Sequence, residues 1–100
     1  MDANQFTEKA LQAIQEAQDL ARENNNAQVE VEHLLLTLLE QPEGVVPQVI
    51  AAVGASAPAI ARQVRTEVER MPKAYGPTQL YLSQRLSAVL RAAQGEAERL

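Results

Sequence analysis

Apolar residues recur every three or four positions along most of the chain, and nowhere do they alternate with polar ones for long. That period lays one face of an α-helix on a core and leaves no segment to propose as a sheet strand. In the first such segment Ala10, Ala13, Ile14, Ala17 and Ala21 form one stripe, flanked by Leu11 and Leu20. Thr7 falls at the N-cap, where a hydroxyl can accept from an orphan backbone N–H, and Glu8 suits the positive end of the helix dipole. Phe6 and Leu11 occupy the two positions of a hydrophobic staple. The run Asn24-Asn25-Asn26 ends the helix, because asparagine tolerates left-handed backbone and competes for its hydrogen bonds.

The stretch VEHLLLTLLEQPEG is the second element. Leu34, Leu35, Leu36, Leu38 and Leu39 cover too much of the circumference for a surface helix, so the pattern predicts a central, buried one. Pro42 and Gly44 end it. Val46, Val49, Ile50 and Val53 predict a short third helix with Pro47 in its first turn and Gly54 just past its end. Ser56 caps a fourth, with Pro58 near the start. Its Ile60, Ala61, Val64, Val68 and Met71 lie on one face, and Arg62, Arg65, Glu67 and Glu69 on the other. PKAYGPTQL has no period and is expected to be a connector. Ser83 then caps a fifth helix whose stripe is Leu86, Val89, Leu90, Ala93 and Ala97.

The fifth helix repeats the first at an offset of 76 residues: Thr7 meets Ser83, Lys9 meets Arg85, Ile14 meets Leu90, and Ala17 meets Ala93. Self-similarity at a fixed long offset sets architecture before any local feature does. The expected fold is all-α. Residues 1–71 form one complete four-helix repeat, 72–81 a connector, and 82–100 the first helix of a second repeat.

Composition narrows the function. The chain has 100 residues, is 46% hydrophobic with 3% aromatics, and contains no cysteine. An aliphatic core follows, and disulfides, thiolate metal sites and cysteine nucleophiles are excluded. A net charge of −4 argues against a nucleic-acid partner, which calls for a basic stripe. No apolar run approaches the roughly 20 residues that span a bilayer, and there is no basic segment followed by an apolar one at the start. No membrane partner and a cytoplasmic location are expected. His33 is the sole histidine, and Glu32-His33 lacks the second histidine four residues on that a zinc site of that kind needs. On a leucine-rich helix His33 fits a packed structural role. The glycines at 44, 54, 76 and 95 are too scattered for a phosphate loop. No enzyme and no cofactor are expected in this chain, which leaves binding. Grooves between helical repeats suit apolar peptide or a partner helix. Thr7 and Ser83 are helix caps, and the free N–H groups beside them also suit a carboxylate or phosphate.

Several blocks together resemble a known family. FTEKALQAIQEAQDLA, VEHLLLTLLEQPEGVVPQVIAAVGA, MPKAYG and YLSQRLSAVLRAAQGEAERL are similar, in that order and spacing, to the amino-terminal domain of the Clp chaperones. The Met-Pro-Lys connector followed by Tyr-Leu-Ser favours the ClpB disaggregase branch over the protease-linked ClpA and ClpC branches. The resemblance implies a pseudo-twofold pair of four-helix repeats tethered to AAA+ ATPase rings, stress-response work, and a hexameric parent. ATP and Mg would belong to the parent's ATPase domains. It implies a module without catalysis that captures unfolded or aggregated polypeptide, or else one on which adaptor proteins dock in a ClpC- or ClpA-type unfoldase. It assigns substrate binding to Thr7, to an apolar groove containing Leu86 and Leu90, and, from the ClpC branch's recognition of phosphorylated arginine, to Glu32. Ala92 and Glu96 stand where larger apolar residues can line that groove. The repeat offset puts a second Glu-His-Leu-like block near position 108, so the expectation is a fragment of a longer protein.

Overall fold

A computed structural model describes residues 7–75 and 79–99. Phe6 and the side chain of Ala97, both placed above in apolar contacts, lie outside the described residues. The order is α1 (Glu8–Glu23), β1 (Gln28–Val29), α2 (Val31–Glu40), α3 (Val45–Ala52), α4 (Ala57–Glu69), β2 (Tyr81–Leu82) and α5 (Gln84–Arg99).

Local chemistry sets the helix ends. Thr7 Oγ1 accepts from the Ala10 amide at 3.1 Å, Ser56 Oγ from Ala59 at 3.2 Å, and Ser83 Oγ from Leu86 at 3.0 Å. Two helices close with the same C-terminal motif, in which the next two amides fold back onto the last turn. In α1 Asn25 takes φ 59°, its N–H donates to Arg22 O, and Asn26 N–H donates to Ala21 O. In α3 Gly54 takes φ 84°, donating to Ala51 O while Ala55 donates to Ile50 O.

Helix α2 is the hub and packs against each of the other four helices. It runs antiparallel to α1. Gln41 Nε2 donates to Lys9 O at 2.7 Å, and Thr37 Oγ1 reaches Ala13 O at 3.0 Å. Such contact between a side chain and a neighbouring helix backbone requires close approach. The fully buried Ala13, Ala17 and Ala21 stripe permits it. Beneath α2 one core cluster joins Leu36 and Leu39 to Ala57, Ala61 and Val68 of α4. A second joins Ala17, Ala21 and Val29 to Leu86 and Leu90 of α5.

The Asn24–Asn26 corner ties four segments together. His33 Nδ1 accepts from the Glu30 amide at 2.8 Å, which leaves the proton on Nε2 to donate to Asn26 Oδ1 at 2.8 Å. Asn26 Nδ2 donates to Pro72 O, Asn24 Nδ2 to Val68 O, and Lys73 Nζ to Asn24 O. Ala74 N–H donates to Asn25 O at 2.7 Å. The end of α1, the start of α2, the end of α4 and the connector therefore share one hydrogen-bonded junction, with His33 fully buried in it.

Three expectations change. Helix α2 is not buried all round: Leu36 is 0% exposed but Leu35 is 37% exposed, because α1 and α4 leave one flank open. The predicted α3 forms, yet none of its residues is buried. The connector contributes a short parallel pair, with Gln28 opposite Tyr81 and Val29 opposite Leu82. Two residues per strand are too few for any alternation to show in sequence.

Candidate functional site

Thr7 and Glu32 sit at opposite ends of the antiparallel α1–α2 pair, since Lys9 adjoins Gln41 at the end of α2 while Glu32 lies in its first turn. Thr7 is exposed and its hydroxyl caps α1. Glu32 is half-buried, and its Oε1 accepts from Arg85 Nη2 of α5 at 2.7 Å. It also lines a recess of about 490 Å³ with Gln63, Val64, Thr66 and Glu67. Any cationic ligand at Glu32 would displace Arg85 or share the carboxylate with it.

Leu86 and Leu90 are brought together, but inside the protein. They are 1% and 8% exposed, packed with Ala17, Ala21 and Val29 and bordered by Ile14, Val31 and Leu34. The expected open groove along α5 is corrected accordingly: these two leucines dock α5 onto the first repeat. On the same helix Val89 is 43% exposed, and Ala92, Ala93 and Glu96 are exposed as well.

Among the described residues, the three most exposed large aliphatic side chains lie on α3 and its C-cap. Val45, Val49 and Val53 are 73%, 54% and 75% exposed. Their spacing of four residues puts them on one side of the helix, while Val46 and Ile50 turn inward to the α2–α4 cluster. No charged residue occurs from Gly44 to Ala61, so nothing on this segment competes with apolar contact. The sequence pattern groups Val49 and Val53 with Val46 and Ile50 in the third helix and does not single out Val45. The signal that was there is that an eight-residue helix apolar on most sides cannot cover all of itself from the edge of a bundle.

His33 does not face a ligand. Burial lowers its pKa below the ordinary 6.5, partly offset by the carboxylates of Glu30 and Glu32. The neutral ring is the form that can accept from the Glu30 amide and donate to Asn26 at once, which bears out its structural role.

Comparison with known proteins agrees with this architecture. Residues 5–100 match the family described as the Clp repeat (R) N-terminal domain. The chain is 38% identical over 104 residues to the chaperone protein ClpB of Nitratidesulfovibrio vulgaris, covering 100% of this chain and 12% of that protein. It is 37% identical over 94 residues to ClpB 2 of Synechocystis, covering 93% and 11%. It is 40% identical over 91 residues to ClpB 1 of Thermosynechococcus vestitus, covering 91% and 10%. The chain thus spans about an eighth or less of the length of these relatives. With the helical repeat, its caps and its connector all in the matched span, the chain belongs to the Clp N-terminal domain family, in its ClpB-like branch.

Proposed function

We propose that this chain is the polypeptide-capture module of a ClpB-type, ATP-dependent disaggregase in the cytoplasm. It holds unfolded or aggregated protein without catalysis of its own. Nucleotide hydrolysis and the hexameric ring belong to the parent protein's other domains. The observation that carries this reading is the exposed valine face of α3. Hydrophobic contact is non-directional and roughly proportional to buried area, so a shallow aliphatic face binds many sequences, each weakly. Such a patch on a small domain is the usual mark of an interaction surface. Thr7 and Glu32 are proposed as polar contacts at the two ends of the α1–α2 pair. Leu86 and Leu90 serve from inside, by holding α5 in place.

The test is titration of a permanently unfolded, labelled protein with wild type and with a Val45→Ser, Val49→Ser, Val53→Ser triple variant. Wild type should bind with a Kd in about the micromolar range, and the triple variant about tenfold more weakly, with its melting curve preserved. Unchanged binding by the triple variant removes α3 as the capture face. Preference for a folded adaptor over the unfolded probe would favour the ClpA/ClpC-type docking role instead.

A further inference from the structure

Arg62 differs from the other two arginines of α4 and its C-cap. Arg65 Nη2 donates to both carboxylate oxygens of Glu40, at 2.7 and 2.9 Å, and Arg70 pairs with Glu67 at 3.6 Å. The Arg62 guanidinium has no partner among the described residues. It sits with Glu40 and Arg65 at the edge of a cleft of about 500 Å³ between α2, α3 and α4. Two cations against one carboxylate leave that edge one positive charge in excess, in a chain whose net charge is −4.

The cleft's floor is apolar and made of small groups. Ala57 and Ala61, one turn apart on α4, are 8% and 7% exposed, and Leu39 beside them is 4% exposed. Pro47, Pro58 and Gln41, whose amide nitrogen is committed to Lys9 O, complete the walls. None of the three valines of the α3 face lines it.

We propose that this cleft takes the free C-terminal end of a polypeptide whose last residue is small and aliphatic. The terminal carboxylate lies on Arg62 and the last side chain on the alanine–proline floor. The juxtaposition selects this ligand. A planar guanidinium pairs with the two oxygens of a carboxylate, and the floor demands an aliphatic group close to that carboxylate. A C-terminal alanine or valine carries both on one Cα. An aspartate or glutamate side chain has its carboxylate at the tip with nothing aliphatic beyond it, and a phosphate has no aliphatic group at all. A cleft of this volume is in the range that holds small ligands, room enough for the last two or three residues of a chain. The inference depends on capture of unfolded polypeptide only for the source of its ligand, since unfolded chains expose their ends.

Two fluorescein-labelled hexapeptides ending in Val-Ala-Ala, one with a free carboxylate and one amidated, are titrated by anisotropy against the 100-residue chain. The free acid should bind about tenfold more tightly than the amide. Arg62→Gln, at an exposed side chain, should bind both peptides equally, while Arg91→Gln on the exposed side of α5 keeps the preference. Equal binding of acid and amide by wild type overturns the proposal. So does a preference that survives in Arg62→Gln, or one lost equally in Arg91→Gln. The α3 triple variant should retain the preference, so failure here and failure of the valine face give different results.

Discussion

Helices α1 and α5 are the same helix written twice and used differently. Both run for 16 residues, their ends are displaced by the same 76 positions, and their caps close at 3.1 and 3.0 Å. Yet α1 buries Ala13 and Ala17, whose counterparts Val89 and Ala93 on α5 face solvent. Helix α5 buries Leu86 and Leu90, whose counterparts Ala10 and Ile14 are only half-buried. Caps and periodicity act over three or four residues, so repeated sequence repeats the helix and its ends. The buried face is chosen by what lies alongside. Helix α1 has α2 within hydrogen-bonding reach of its backbone, a spacing that alanine allows and leucine does not. Helix α5 meets a shallower surface formed by α1, β1 and the start of α2, and fills it with two leucines.

Substitutions at equivalent positions can break or sharpen that contrast. The largest effect is expected at the leucines. Leu86→Ala should cost about 2–5 kcal/mol by leaving a cavity under α5. Leu90→Glu should cost at least as much, because it carries a charge into the cluster. Hydrogen exchange should show α5 opening first in both variants, ahead of α1, α2 and α4. If Leu90→Glu kept wild-type protection, α5 would not be docked through this residue, and the open groove expected from sequence would return.

Next comes a matched pair on the alanine stripe. Ala17→Leu overpacks the closest helix approach and should lose about 1–3 kcal/mol in urea unfolding. Its counterpart Ala93→Leu, at an exposed position, should stay within about 0.5 kcal/mol of wild type. Equal losses would mean that the two helices bury the same face. The smallest contrast lies at the caps. Thr7→Ala and Ser83→Ala each remove one hydrogen bond, worth about 0.5–2 kcal/mol. Ser83 is 5% exposed whereas Thr7 is exposed, so Ser83→Ala should show the larger drop in melting temperature.

Much of this was readable from the chain because its causes are local. Thr7, Ser56 and Ser83 act on amides three residues away, and Asn25 and Gly54 supply left-handed backbone where the helix must stop. The regular spacing of aliphatic residues, alanine in α1 and mostly leucine, isoleucine and valine elsewhere, marked all five helices. What escaped depends on partners distant in sequence. Glu32 meets Arg85 across 53 positions. The pairing of Val29 with Leu82 leaves no trace in either segment alone. The exposure of Val45, Val49 and Val53 and the burial of Leu86 and Leu90 are set by where each helix sits in the bundle, which hydropathy does not record. The most exposed valines therefore lie on and just after α3 rather than on α5, although the uncharged, aliphatic character of that segment was already visible between Gly44 and Ala61.

The junction at Asn24–Asn26 also has a consequence in proton binding. The folded protein holds His33 neutral, with its pKa below 6.5, while the unfolded chain returns it to that ordinary value. Between the two values the unfolded state binds more protons, so stability falls as the pH drops through that interval and is fully restored above it. A charged ring loses its acceptor, the Glu30 amide is left without a partner, and the corner that fastens α1, α2, α4 and the connector loosens together. Urea midpoints should decline from about pH 7.5 towards pH 5.5 in wild type. In His33→Gln, stable or not, that part of the slope should vanish. The lone histidine thus makes the grip between the first repeat and the connector to α5 a function of acidity.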